Sequence, residues 1–128
     1  MKKSGRIIFI GLAALLLLCF TIQFLLAGMA TFIHYEYWSD HTFFVHLFGF
    51  YLPLIMLVAA LVCKFSRKIF GQLALVFGLT FLLYVTANIS THLPWAGALH
   101  PIIGILLFLA ALAILRSSWI MTFIESQK

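Results

Sequence analysis

Three stretches of this chain contain no Asp, Glu, Lys or Arg: residues 7–35, 42–63 and 69–115. An α-helix rises about 1.5 Å per residue and crosses about 30 Å of hydrocarbon in about 20 residues. The first two stretches therefore hold one membrane span each, and the third is long enough for two. It is broken at Asn88-Ile-Ser-Thr-His-Leu-Pro94, a polar, proline-ended run that reads as a turn. The expectation is an all-α, single-domain protein over residues 1–128, an up-down four-helix transmembrane bundle with helices at about 7–31, 42–63, 69–89 and 95–115. Composition closes off the alternatives. With 65% apolar and 9% charged residues the chain cannot clothe a soluble globule, which needs about a quarter charged. A membrane β-barrel requires alternation, whereas Ala13-Ala-Leu-Leu-Leu-Leu18 is apolar on every face. The basic start and long apolar run imitate a secretory signal, but the run exceeds the usual signal core, so an uncleaved first helix is expected.

Charge orients the bundle. Lys2, Lys3, Arg6, Lys64, Arg67, Lys68, Arg116, Glu125 and Lys128 fall on one side and total +7, while Glu36 and Asp40 on the other total −2. The positive-inside rule then places both termini in the cytoplasm and the protein in a bacterial-type cytoplasmic membrane. The basic balance is a topology signal; lipid bilayer, and no nucleic acid, is the expected partner, and a membrane complex or homo-oligomer stays open. Residues 117–124 are too short to span and read as an interfacial tail anchored by Trp119. Cys19 and Cys63 lie at different depths, too far apart for a disulfide.

Sorting polar residues by depth brings all five histidines to the outer side, with Gln23, Tyr51, Tyr84, Thr86 and Asn88 in or near the outer half. Polar groups at depth are costly unless they find partners in the bundle interior. His46 and His100 form the sharpest pair: each falls four residues inside its helix, on spans that are diagonal in an up-down bundle. Gly49 and Gly104 follow them at one-turn spacing and clear space for a flat macrocycle, so the four residues make a candidate site for haem b with His46 and His100 as metal ligands. A shift in helix starts would substitute His41 or His92. The same facts also suit histidines that only hydrogen-bond between helices. His34, Glu36, Asp40, His41 and His92 could gather a zinc or copper ion in the outer loops, without a recognised ligand spacing. Pro53 should kink the second helix, Gly71 and Gly78 suggest a close-packing groove, and Tyr35, Tyr37, Trp38 and Trp95 an aromatic belt.

No hydrolase, phosphate-binding or dinucleotide motif is present, and no acid lies within a span as proton-driven transport usually requires. An enzyme is not indicated. Two classes stay open: a small b-type haem or electron-transfer protein, and a cofactor-free accessory or structural membrane protein.

The runs Gln23-Phe-Leu-Leu-Ala-Gly28, His46-Leu-Phe-Gly49 and Leu99-His-Pro-Ile-Ile-Gly104 resemble a family of uncharacterised small bacterial four-helix membrane proteins, a likeness covering nearly the whole chain. It implies fold and topology and no activity. More distantly, the chain is similar to one four-helix half of the haem A synthases, whose haem-binding histidines sit near the outer ends of the second and fourth helices, where His46 and His100 stand here. That resemblance implies haem binding or electron transfer. The glutamate that family carries one turn before its second-helix histidine is replaced here, the region holding Thr42 and Phe43, and its outer-loop cysteine pair is absent.

Overall fold

A computed structural model describes residues 3–124; Lys2, Glu125 and Lys128, which enter the charge argument, lie outside the described residues. The chain is helical almost throughout, as α1 (Lys3–Phe32), α2 (Tyr37–Phe48), α3 (Tyr51–Val62), α4 (Arg67–Ile89) and α5 (Pro94–Phe123). With α2 and α3 taken as one bent rod (Tyr37–Val62), four helices are long and apolar enough to cross a membrane.

The rods pack in a ring. α1 lies against α5 and the second rod, α4 lies against α5 and α3, and neither α2 nor α3 packs on α5. The second and fourth rods are therefore diagonal, as expected. Phe9, Leu16, Met56, Ile69, Leu73 and Ile114 are completely sequestered between the rods. Ala13, Ala60, Ala110, Ala111 and Ser118, also buried, let the backbones approach closely. The outward faces are equally apolar: Leu18, Leu25, Ile55, Val62 and Leu106 are all exposed. Gly71 and Gly78 belong to that outward surface and not to a packing groove, since a Cβ on either would meet nothing within 4 Å.

One end of the bundle is clamped. The Phe9 and Phe65 rings pack at a 41° tilt with centroids 4.5 Å apart, and the Arg6 guanidinium lies over Phe65 while donating to the Met121 carbonyl at 2.8 Å. Gln72 donates to the Ser117 hydroxyl at 3.1 Å. Phe65 is delivered there by the turn that closes α3. Lys64 adopts the left-handed conformation (φ 50°), its N–H reaching the Leu61 carbonyl and that of Phe65 reaching Ala60. This is a Schellman closure with a lysine where glycine is usual.

Three boundaries depart from expectation. The second helix begins at Tyr37, not 42, because turns from Tyr37, Trp38 and Ser39 back to His34, Tyr35 and Glu36 wind the chain before the uncharged run starts, and Asp40 suits a helix N-terminus. That helix then breaks at Gly49 and Phe50. Pro53 has no N–H for the Gly49 carbonyl, and the kink expected of it is expressed one turn upstream as the division between α2 and α3. Finally, residues 117–123 are not a separate interfacial tail. They are the last two turns of α5, held because Ser117, Ser118 and Thr122 face the bundle and are buried. The hydroxyls of Ser118 and Thr122 fold back onto the carbonyls of Leu115 and Ser118, so each is satisfied inside the helix.

A histidine-lined chamber as candidate functional site

The diagonal gap between α2 and α5 is not filled at the end of the bundle that carries Glu36 and Asp40. One face of α2 carries Trp38, His41 and Val45, and one face of α5 carries His100, Gly104 and Leu107; both spacings return to the same side of a helix. These six residues, with Phe20, Gln23 and Phe24 of α1 and Thr80 and Leu83 of α4, enclose a chamber of about 150 Å³. Above it lies an open vestibule of about 420 Å³, whose walls include His46, Tyr84 and Asn88. Trp38, His41, Val45, Leu83, His100 and Pro101 line both compartments, which therefore adjoin.

The hydrogen bonds assign the ring nitrogens. His41 Nδ1 lies 3.2 Å from the Gln23 carbonyl, and since a carbonyl can only accept, Nδ1 carries the proton and Nε2 keeps its lone pair. Gln23 answers by donating from Nε2 to the His41 carbonyl at 2.7 Å, so α1 and α2 are tied by a reciprocal pair. His46 is bonded in the same way but within its own helix, Nδ1 donating to the Thr42 carbonyl at 2.6 Å. His100 approaches the Thr86 hydroxyl at 3.4 Å; that hydroxyl donates to the carbonyls of Leu82 and Leu83, leaving its oxygen to accept.

Two polar atoms on the chamber wall have no partner. The carbonyl that Gln23 Nε2 serves fixes which way its amide points, and the remaining Oε1 is buried without a donor. Thr80 is 1% exposed and its Oγ1 is equally unpaired. Thr21, Thr31, Thr42 and Thr86 each bond back to a carbonyl four residues earlier, the usual way a helical threonine satisfies itself. Leaving a buried polar group unpaired costs about 1–3 kcal/mol. Gln23 and Thr80 both line the cavity, but these two oxygens are covered by neighbouring atoms, so the wall of the cavity is almost wholly apolar.

The four residues expected to hold haem are divided between the two compartments. His46 faces only the vestibule, Gly49 and Gly104 line only the chamber, and His100 borders both. The clearings at the glycines are taken: a Cβ at Gly104 would sit 3.4 Å from the Phe24 ring, and one at Gly49 would sit 2.7 Å from the Val45 carbonyl and 3.5 Å from the Tyr84 hydroxyl. His46 itself is exposed and lies edge-on to Tyr84, with centroids 5.4 Å apart. The space that His46 and His100 share is the open vestibule of about 420 Å³, and neither glycine clears room beside them, so the geometry lends no support to a haem held between these two histidines. Nor do the outer loops form a metal centre: among the described residues no group of three or more His, Cys, Asp and Glu is placed to hold an ion. His34 and Glu36 approach each other at 3.7 Å in the exposed loop, and His92 is exposed.

Other polar residues assigned to the outer half divide similarly. Gln23 and Thr86 face inward, Tyr51 is 65% exposed on the outside of the bundle, and Asn88 is exposed and bonds the Tyr84 carbonyl of its own helix. Thr80, the lone hydroxyl in the apolar run 73–83, is the chamber residue that depth sorting passes over. Trp38, expected only as a belt residue, closes the chamber's outer end. Cys19 and Cys63 are free, as expected.

No curated protein and no solved structure matches this chain. A family model does match, over residues 23–91, more than half of the chain; the match runs from Gln23 through α2, α3 and α4, and so takes in His41, Gly49 and Thr80 but not His100. The chain belongs to that family, a family of unknown function designated DUF6220.

Proposed function

We propose that this protein is a multi-pass component of a bacterial-type cytoplasmic membrane, both termini inside, that binds a small neutral ligand in a chamber reached from the outer face. The cavity itself carries the reading: about 150 Å³, lined by Phe20, Phe24, Trp38, Leu83 and Leu107 with an almost wholly apolar wall, it has the size and chemistry of a site for a small apolar ligand.

The membrane assignment is supported by the outward apolar faces, which water does not tolerate over such an area. Its orientation is supported by charge: Lys3, Arg6, Lys64, Arg67, Lys68 and Arg116 belong to the clamped half, and Glu36 and Asp40 to the opposite end. The resemblance to a haem A synthase half contributes architecture only, histidines near the outer ends of the second and fourth rods.

Two measurements test the reading. In a Cys19→Ala, Cys63→Ala background, Ser39→Cys should react with an impermeant maleimide on intact cells, and Ser66→Cys only after permeabilisation; the reverse pattern would sink the topology. Benzene should raise the melting temperature of the detergent-solubilised protein, and Ala27→Phe, which adds a ring at a residue of α1 that lines the chamber, should remove the effect. If benzene does nothing to the unaltered protein, the chamber is no binding site and the protein is a cofactor-free structural or accessory bundle.

A further inference from the structure

Resting on the membrane assignment and independent of the chamber, we infer that an anionic phospholipid docks at the clamped end of the bundle, with its head group at Lys64 and one acyl chain along the groove between α1 and α3.

An open groove of about 500 Å³ runs between α1 and α3 on the outside of the bundle. Ile8 and Leu12 form one bank and Leu54, Ile55, Val58 and Val62 the other, and no charged side chain lines it. Apart from Leu12, these side chains are more than half exposed. The groove begins at Gly5 and Cys63, where the two helices almost touch: a Cβ on Gly5 would stand 2.7 Å from Cys63 Sγ. From Cys63 back to Leu54 it follows α3 for about 13 Å at the usual helical rise, close to half of a hydrocarbon core about 30 Å thick. That is the depth of one leaflet, the span of a single acyl chain.

Charge selects the head group. Lys3, Arg6, Lys64, Arg67, Lys68 and Arg116 share the clamped end, while the described acids, Glu36 and Asp40, lie at the other. Arg6 is held there by neutral groups, the Met121 carbonyl and the Phe65 ring. Among the described residues no carboxylate balances these cations, and basic clusters at the end of a membrane bundle attract anionic lipid. Lys64 stands at the mouth of the groove, directly after Cys63, with its side chain exposed. It also holds the left-handed closure of α3 (φ 50°), which glycine adopts freely and lysine does not. Strain kept at one residue is accounted for when its side chain is needed, and a cation at the polar end of an acyl-sized groove is what a phosphodiester requires. A second copy of the chain suits the groove less well, since two copies with one topology would bring their basic ends together.

Titration of the full chain in detergent with phosphatidylglycerol and with phosphatidylcholine of the same acyl chains, followed by native mass spectrometry, tests the site. Phosphatidylglycerol should be retained about fivefold more tightly, the factor one lysine near anionic lipid confers. Lys64→Gly should lose that preference while melting higher than the unaltered protein without lipid, which separates lost recognition from lost folding. Arg116→Gln, on α5, which does not pack on α3, should keep the preference. Val58→Trp, which stands a ring in the groove, should release both lipids. Equal retention of the two lipids, or an equal loss of preference in Arg116→Gln and Lys64→Gly, would overturn head-group recognition at Lys64. Indifference to Val58→Trp would overturn the groove, as would a dimer that Val58→Trp dissociates. Detergent has no sidedness, so failure here leaves the maleimide topology standing, and a reversed topology leaves this site in place.

Discussion

Substituting Gly49 by Ala would push a methyl group against the joint of the second rod. Its Cβ would lie 2.7 Å from the Val45 carbonyl oxygen, 3.4 Å from the Val45 side chain and 3.5 Å from the Tyr84 hydroxyl. The nearest obstacle is backbone, and it cannot rotate away; the kink between α2 and α3 must open by several tenths of an ångström. Overpacking of this kind costs about 1–3 kcal/mol. Gly78→Ala is the internal control, because its Cβ meets nothing within 4 Å and alanine in a helix interior gains about 0.5–1 kcal/mol over glycine. Reversible unfolding in mixed detergent and dodecyl sulfate micelles, followed by circular dichroism, should separate the two variants by about 2 kcal/mol or more. Pro53→Ala supplies the missing N–H to the Gly49 carbonyl and relaxes the kink. The Gly49→Ala, Pro53→Ala double variant should therefore lose less than the sum of the singles, by about 0.5 kcal/mol or more. If Gly49→Ala is as stable as Gly78→Ala, or if the double variant is additive, the kink is not held by these two residues.

The same unfolding assay checks three further substitutions. Lys64→Gly should stabilise the protein by about 1 kcal/mol, because glycine adopts the left-handed closure of α3 without the penalty lysine bears. Gln23→Leu should cost about 0.6–2 kcal/mol through loss of the bond to the His41 carbonyl, whereas Asn88→Leu, at an exposed side chain bonded to its own helix, should change stability by no more than about 0.5 kcal/mol. Gly5→Ala should destabilise by about 1 kcal/mol or more, since its Cβ would stand 2.7 Å from Cys63 Sγ, and Cys63→Ala should restore most of the loss.

The spans were legible because charges mark where a chain can leave a bilayer, and the rods lie where the uncharged stretches predicted them. What charge cannot report is a helix that continues past its last charged residue. Arg116 suggested an end, yet the small residues Ser117, Ser118 and Thr122 keep α5 packed for two more turns. Depth was legible for the histidines, and direction was not. His41 and His46 are five residues apart, about 140° around a helix, so only one of them can face the chamber. Taking residue 42 as the helix start made His46 the natural choice; starting at Tyr37 brings His41 inward against Gln23. Thr80 went unnoticed because a threonine in a membrane helix normally satisfies itself on its own backbone, and nothing in its neighbours signals that this one does not.

The break at Gly49 leaves α2 as a rod of 12 residues. Helices of that length are marginal alone, and their persistence depends on what they lean on. The clamped end of the bundle has its aromatic pair and its arginine; α2 has the Gln23–His41 pair, the Phe20–Phe48 contact, the Tyr84 hydroxyl on the Val45 carbonyl at 3.4 Å, and the chamber on its diagonal side. Opening of this short segment as a sub-global unit is the fluctuation expected first. Amide hydrogens of residues 41–48 should exchange ahead of those in α3 and α4. A molecule seated in the chamber would act on that fluctuation first, converting the loosest part of the fold into its most ligand-responsive one.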